Sequence, residues 1–496
     1  MNEPVELIPA LPACALPAPA VSAAADKHTR ERLFEFFLLL LCAAAFSVSA
    51  ASPRDALTPP SGLNPQVEAI VSQISTERIA AIQRKLGNFE TRNIFSATND
   101  PAHGIGAARE WIAAELRSYN PRLQVSFDKH RLAKQNSRMI GNVEIWNIVA
   151  VLPGTSEPER QVIASGHYDT IHLVYKTQPN GERELDPEAT AQAIAPGVTD
   201  DGSGTAAVME LARVMSQYQF RKTIVFIAFA AEEYGLFGSG LYAEAAAARR
   251  DLIEGVFNND IIGSDVTGNG ETNNRYVNVY SEEPNDSTSR QLARFLQSVN
   301  QRYQPGFNVN LVFRHDRFSR GGDHSPFNAA GYPAIRLTTP MENFSNQHTA
   351  TDTFANTDPA YTTLVAKANA AAVATLAFAP KPPELFTPPP TEGRSFPSPL
   401  GRGTMPDKSS GYDAVLNWRN DHPEPDLAGY VVVMRKTTSP VWEREIFVGK
   451  VTSYTLPNVN IDEVVLGVKS VDAAGDESTV SAFVSPPYRQ RHIETY

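Results

Sequence analysis

TIVFIAFAAEEYG, residues 223–235, decides the fold. Its first eight residues are apolar on both alternating faces, as in a strand covered by helices on each side rather than one half-exposed to water. Glu232 and Glu233 then cap the strand, and Gly235 and Gly238 follow. Outward from this segment, residues 143–151 and 161–165 also read as strands. Residues 67–86, 104–116, 205–218, 239–250 and the Ala-rich 361–378 carry helical spacing. The alternation predicts an α/β fold: a mostly parallel sheet sandwiched by helices.

Four further motifs place His, Asp or Glu where a strand should end. They are GHYD (166–169), TDDGSG (199–204), NDIIGS (259–264) and QHTATDT (347–353). Open α/β sheets bind ligands beyond the carboxyl ends of their strands, where the connections diverge. Any one of these acidic residues alone reads as a solvated loop or a helix cap. Together they assemble a His/carboxylate ligand set for a pair of zinc ions. Hydrolysing a peptide bond at neutral pH needs an activated water and a polarised carbonyl, which two zinc ions supply. Such a pair needs a carboxylate spanning both ions, further ligands on each, and another carboxylate to take the water's proton. Adjacent glutamates suit that division, because neighbouring side chains diverge at a strand end.

Composition narrows the setting. With 496 residues, 42% hydrophobic and 20% charged, the chain is an ordinary globular sequence long enough for two domains. Its net charge of -11 excludes nucleic acid as a main partner, since phosphate binding needs concentrated Lys and Arg. Residues 1–51 read as an N-terminal extension and secretory signal, with Arg30 and Arg32 before the apolar run 36–46 and small residues after it. The expectation is a secreted or periplasmic protein; an uncleaved N-terminal anchor is the alternative. Cys14 and Cys42 both lie in that segment, so a thiolate ligand and a cysteine nucleophile are excluded from the rest of the chain.

Residues 65–379 form the expected catalytic domain. Residues 380–405 read as a Pro-rich linker, with eight prolines between 380 and 399. Residues 406–490 change to short alternating strands, at 414–418, 429–436, 453–456 and 463–471, and predict a small all-β sandwich. Trp418, Tyr430, Tyr454-x-Leu456 and the VKSVDAAGDES segment make it resemble a fibronectin type III module. Such a module could bind a surface or a polymer.

In motif order and context, residues 65–379 resemble metallopeptidase family twenty-eight, which includes bacterial aminopeptidases and glutamate carboxypeptidases. The resemblance implies two zinc ions per chain. His167 and Asp260 would hold one, Glu233 and His348 the other, and Asp200 would bridge them. Glu232 would be the general base. Asp169 and Asp352 would orient ligand histidines through their free ring nitrogens, and Asp201 would support the site from behind. In that family the bond after the bridging Asp is often cis, which makes Asp200–Asp201 a candidate for a cis bond. Residues 321–327 (GGDHSPF) place His324 near the site. Several relatives carry Tyr before the final ligand His, where this chain has Gln347; Gln347 and His324 are therefore the candidates for an oxyanion or substrate contact. The run Arg314-His315-Asp316-Arg317 reads as a solvated face.

The expected activity is that of an aminopeptidase acting on peptide or protein substrates, preferred because site carboxylates could meet a cationic α-amine. The alternatives are a glutamate carboxypeptidase-like enzyme, a glutaminyl cyclase, or a non-catalytic binding protein on the same fold. Asp201 and the complete ligand set speak against the last two.

Overall fold

A computed structural model of the protein describes residues 57–60, 62–386 and 413–484. The proposed signal segment, both cysteines and most of the Pro-rich stretch lie outside the described residues.

The chain opens with helices α1 (Pro65–Ser72), α2 (Thr76–Gly87) and α3 (Gly104–Tyr119). The helical spacing over 67–86 resolves into two helices, because Ser75 accepts a hydrogen bond from the Arg78 amide and restarts the helix there. Strands β1 (Gln124–Leu132), β2 (Val143–Leu152) and β3 (Glu157–His167) follow, then a short hairpin of β4 (Tyr175–Thr177) and β5 (Arg183–Leu185), and helices α4 (Pro187–Gln192) and α5 (Gly202–Met215). Next come β6 (Lys222–Phe229), α6 (Phe237–Arg249), β7 (Leu252–Asn259), β8 (Tyr276–Ser281) and α7 (Thr288–Tyr303). Strand β9 (Asn308–Val312), α8 (His324–Ala329), β10 (Ala334–Thr338) and α9 (Pro359–Phe378) complete this part.

Eight strands form one sheet in the order β1-β2-β6-β3-β7-β10-β8-β9. Its centre, β6-β3-β7-β10, is parallel. The central strands are buried on both faces, as the 223–230 segment requires. Ile224, Phe226 and Ala228 face the larger core, which includes α5 and α9 residues such as Leu211 and Val373. Val225, Ile227 and Phe229 face a second core with Ala243 of α6 and Phe327 of α8. The carboxyl ends of β3, β6, β7 and β10 therefore lie along one edge, and each leads into one of the motif segments.

The C-terminal part contains β11 (Glu384–Leu385), β12 (Ala414–Arg419), β13 (Leu427–Lys436), β14 (Arg444–Gly449), β15 (Ser453–Leu456), β16 (Val464–Asp472) and β17 (Ser481–Ala482). A three-stranded antiparallel sheet, β11-β12-β15, opposes a four-stranded one, β14-β13-β16-β17. Leu416, Trp418 and Leu456 of the first share a core with Tyr430, Val432 and Val468 of the second. Trp418 meets Tyr430 edge-on with ring centroids 5.6 Å apart. Part of the stretch read as linker is structural: Leu385 pairs with Trp418. The module also packs directly on the α/β part. Arg221 Nη2 donates to both oxygens of Asp426 at 2.9 and 2.8 Å, Arg294 donates to the Pro440 carbonyl at 2.7 Å, and Arg435 pairs with Asp286. Among the described residues no helix is long and apolar enough to cross a membrane.

Candidate metal centre

The loops beyond β3, β6, β7 and β10 are shaped by close backbone packing. The Asp200–Asp201 peptide bond is cis. Asp201 then caps α5, its Oδ1 accepting from the amides of Gly204 (2.9 Å) and Ile261 (3.1 Å) while Oδ2 accepts from the His167 amide (3.1 Å). One carboxylate thus ties three of the motif segments together. Gly204 is needed for contact rather than for its φ: a Cβ there would lie 2.3 Å from the Asn259 carbonyl oxygen. Ala231 (φ 64°), Ile261 (φ 58°) and His348 (φ 56°) adopt the left-handed conformation, which is unusual for non-glycine residues and costs about 1–3 kcal/mol each. They flank or include Glu232, Asp260 and the final histidine.

Two buried or half-buried imidazoles converge on one carboxylate. His167 points its Nδ1 at the Asp169 backbone carbonyl (3.1 Å). That acceptor calls for a proton on Nδ1 and leaves Nε2 free as a ligand atom. Nε2 lies 3.2 Å from Asp200 Oδ1 and 3.7 Å from Asp260 Oδ1. His348 Nε2 lies 3.1 Å from both Asp200 Oδ2 and Glu233 Oε2. Asp200 therefore offers one oxygen to each histidine. The ligand atoms of His167, Asp200 and Glu233, and those of His167, Glu232 and Asp260, each fall within 4.8 Å of one another. Glu233 Oε1 is buried with no hydrogen-bond partner. So dense a cluster of buried carboxylates with an orphaned oxygen lacks positive charge, and neutral His nitrogens with carboxylate oxygens suit zinc.

Electrostatics separates the carboxylates. Burial alone would raise Asp200, but His167 and His348 hold it well below the ordinary carboxylate range. Glu232 is pushed well above its usual value, first by burial and then by Asp260 and Glu233 against His167. Its side chain remains partly exposed to a cleft of about 220 Å³, shared with Asp200, Glu233, Asp260 and His348.

Several expected contacts take another form. The Asp169 carboxylate accepts from the amides of Glu232 (3.1 Å) and Glu233 (3.3 Å) and also lies 3.6 Å from His167 Nδ1, which points at the Asp169 carbonyl (3.1 Å). The Asp352 carboxylate is engaged by the amides of Thr199 (2.9 Å) and Asp200 (3.0 Å), so it fixes the backbone entering the cis bond rather than the His348 ring. Gln347 donates its side-chain amide to Asp200 Oδ2 at 2.8 Å, beside the carboxylate that both histidines meet. His324 is wholly buried behind Asp260, its Nε2 on the His315 carbonyl (2.9 Å), so it does not face substrate. The run 314–317 is no solvated face. Asp316 is buried and bridged at 3.1 Å by Arg336, and Arg317 is bidentate on Glu342.

Two buried arginines escaped the sequence reading. Arg92 donates to the carbonyls of Tyr168, Leu86, Pro196 and Gly197, bracing the segments that carry Asp169 and Asp200. Arg336 reaches Asp260 Oδ2 at 3.1 Å with Nη2. Arginines isolated in a sequence give no sign that the fold will bury them.

A profile of peptidase family M28 matches residues 147–373. A probable zinc metalloprotease of Leptosphaeria maculans is 36% identical over 437 residues, covering 82% of this chain and 94% of that protein. One from Pyricularia oryzae is 36% identical over 449 residues, covering 83% of each. Among solved structures, the LapA aminopeptidase of Legionella pneumophila is similar at 20% identity and a TM-score of 0.48, covering 65% of this chain and 78% of that one.

Proposed function

The chain belongs to peptidase family M28 and is a zinc-dependent metallopeptidase; from that premise and from the centre's geometry we propose a secreted two-zinc aminopeptidase. The observation that carries it is the division of Asp200 between two histidines, Oδ1 toward His167 and Oδ2 toward His348. In this reading His167 and Asp260 would hold one ion, His348 and Glu233 the other, and Asp200 would serve both. The chemistry that zinc would supply when held by these residues is polarisation of the scissile carbonyl and a lowered pKa for a water. Glu232 is not needed as a ligand. It faces the cleft with a raised proton affinity, which fits a base that accepts the water's proton and returns it to the leaving amine. Glu232, the cleft carboxylate that this reading leaves off both ions, can meet a cationic α-amine, which favours a free terminus over a blocked one.

The test is hydrolysis of matched peptides with free and acetylated N-termini by the zinc-loaded protein. Cleavage confined to free amines is expected. Cleavage of acetylated peptides bearing a free C-terminal carboxylate would replace this reading with a carboxypeptidase.

The C-terminal sandwich fits a fibronectin type III-like module by its three- and four-stranded sheets and its Trp418–Tyr430 pair. Its proposed role is to hold the enzyme at a polymer or surface. Deleting residues 381–496 should then abolish retention on that material while small-peptide turnover persists; unchanged retention would count against the role.

A further inference from the structure

An alternating series of charges runs from the centre to the cleft wall. Arg336 is fully buried between Asp260 (3.1 Å) and Asp316 (3.1 Å). Asp316 accepts in turn from Arg317 Nε at 3.0 Å, and Arg317 Nη1 reaches both oxygens of Glu342 at 2.9 and 2.8 Å. Glu342 also holds Arg320 through Nη1 at 2.8 Å. Within this series three guanidiniums balance three carboxylates, but the balance ends at the centre, because Asp260 is one of the proposed ligands. Once an ion neutralises Asp260, the series carries a surplus positive charge. Arg320, its last member, lines the cleft, and of its guanidinium nitrogens only Nη1 is hydrogen-bonded among the described residues.

Arg138 lines the same cleft from the segment between β1 and β2. Its Nη1 donates to the Glu233 carbonyl at 2.8 Å, which fixes the guanidinium beside the centre. Among the described residues no carboxylate lies within ion-pair distance of it. The cleft thus presents two anchored guanidiniums with free N–H donors next to the ligands. Planar forks of this kind match a carboxylate better than an ammonium would, and charge-assisted pairs are about twice as strong as neutral ones.

We propose that Arg138 and Arg320 form a carboxylate-binding subsite, so that the peptidase favours short substrates presenting a carboxylate close to the scissile bond. The inference rests on the aminopeptidase reading for the position of the free amine. The carboxylate has three sources: an acidic side chain before the bond, one after it, or the terminal carboxylate of a dipeptide. All three would meet the same forks.

The experiment compares kcat/KM for three pairs on the zinc-loaded full chain: Glu- against Gln-anilide, Leu-Glu-amide against Leu-Gln-amide, and Leu-Ala against Leu-Ala-amide. At least one charged member should be favoured about tenfold, equivalent to 1.4 kcal/mol, and the pair showing it identifies the source. In Arg320→Met and Arg138→Met that ratio should fall toward one, with Arg320→Lys intermediate. Ratios near one in the unmodified protein, or unchanged in both variants, overturn the proposal. Calorimetric binding of glutarate against butyrate gives a readout independent of turnover: glutarate should bind about tenfold tighter, and Arg320→Met should erase the difference. Failure of every free-amine substrate together with preserved glutarate selectivity would sink the aminopeptidase reading and leave the subsite standing. Equal binding of the two acids would sink the subsite.

Discussion

Replacing Arg92 with Met should unfold the protein far more readily than its distance from any catalytic step suggests. The guanidinium is fully buried and donates to four carbonyls, at 2.6 Å (Tyr168), 3.0 Å (Leu86), 2.5 Å (Pro196) and 2.7 Å (Gly197). Bonds to a charged donor contribute about 1.5–3 kcal/mol each, so the gross loss is about 6–12 kcal/mol. Against this, burying the charge is costly. Its pKa is pushed down to about 10, chiefly by burial and against the pull of Asp352 and Asp169, which corresponds to about 3 kcal/mol recovered on removal. Water entering the vacated space will rescue some carbonyls. The net expectation is a loss of about 4–5 kcal/mol, at the severe end for single substitutions. Urea unfolding of the metal-free protein measures it. The same segments carry Asp169 and Asp200, so zinc affinity should fall by about 10–100-fold, as when groups supporting ligands are lost. A loss below about 1 kcal/mol, with zinc affinity unchanged, would refute the claim that this arginine braces the site.

Glu232→Gln should keep its metal and lose about 10²–10⁴-fold in kcat, measured on a free-amine peptide alongside metal content; near-normal turnover would remove Glu232 as the base. Gly204→Ala places a Cβ 2.3 Å from the Asn259 carbonyl and 2.4 Å from Asp201 Oδ2, so it should cost about 2–3 kcal/mol by denaturant titration and loosen the Asp201 cap. Asp476 is buried against Asn64 (2.6 Å), and burial, with Asp472 adding, pushes it up to about 7. Its folded pKa thus exceeds the unfolded value near 3.9, so the folded state holds the extra proton and stability should decline as pH rises from about 4 to 7, by up to about 4 kcal/mol. Asp476→Asn should flatten that slope in urea titrations at several pH values, and an unchanged slope would reassign it to another group.

Sequence alone reached the parallel core because strands buried on both faces leave an unbroken apolar run, as 223–230 does. It reached His167, Glu232, Glu233 and Asp260 because they sit at the ends of β3, β6 and β7, whereas Asp200, between α4 and α5, and His348, well past β10, lie on loops and not at the strand ends expected of them. It named no strand at β1, β8, β9, β10 or β14, where polar or charged residues interrupt the apolar run, as in QVSFDKHRL of β1 and AIRLT of the fully buried β10. It also misjudged which atoms meet. Asp352 and Gln347 sit within a few residues of His348, yet their side chains reach back to the Thr199–Asp200 backbone and the Asp200 carboxylate. Such contacts depend on loop paths that carry no periodic signal. Arg92, Arg320 and Arg336 were illegible for a related reason: an arginine looks alike in any sequence, and only the fold shows whether carbonyls, carboxylates or water surround it.

The central claim is that Asp200 joins two zinc sites while Glu232 stays free to act as base. Zinc per chain, measured by mass spectrometry on the unmodified protein, Asp200→Asn and Glu232→Gln, tests it most directly. The account predicts about two, clearly fewer, and about two ions respectively. A single zinc in the unmodified protein, or two retained in Asp200→Asn, would contradict it.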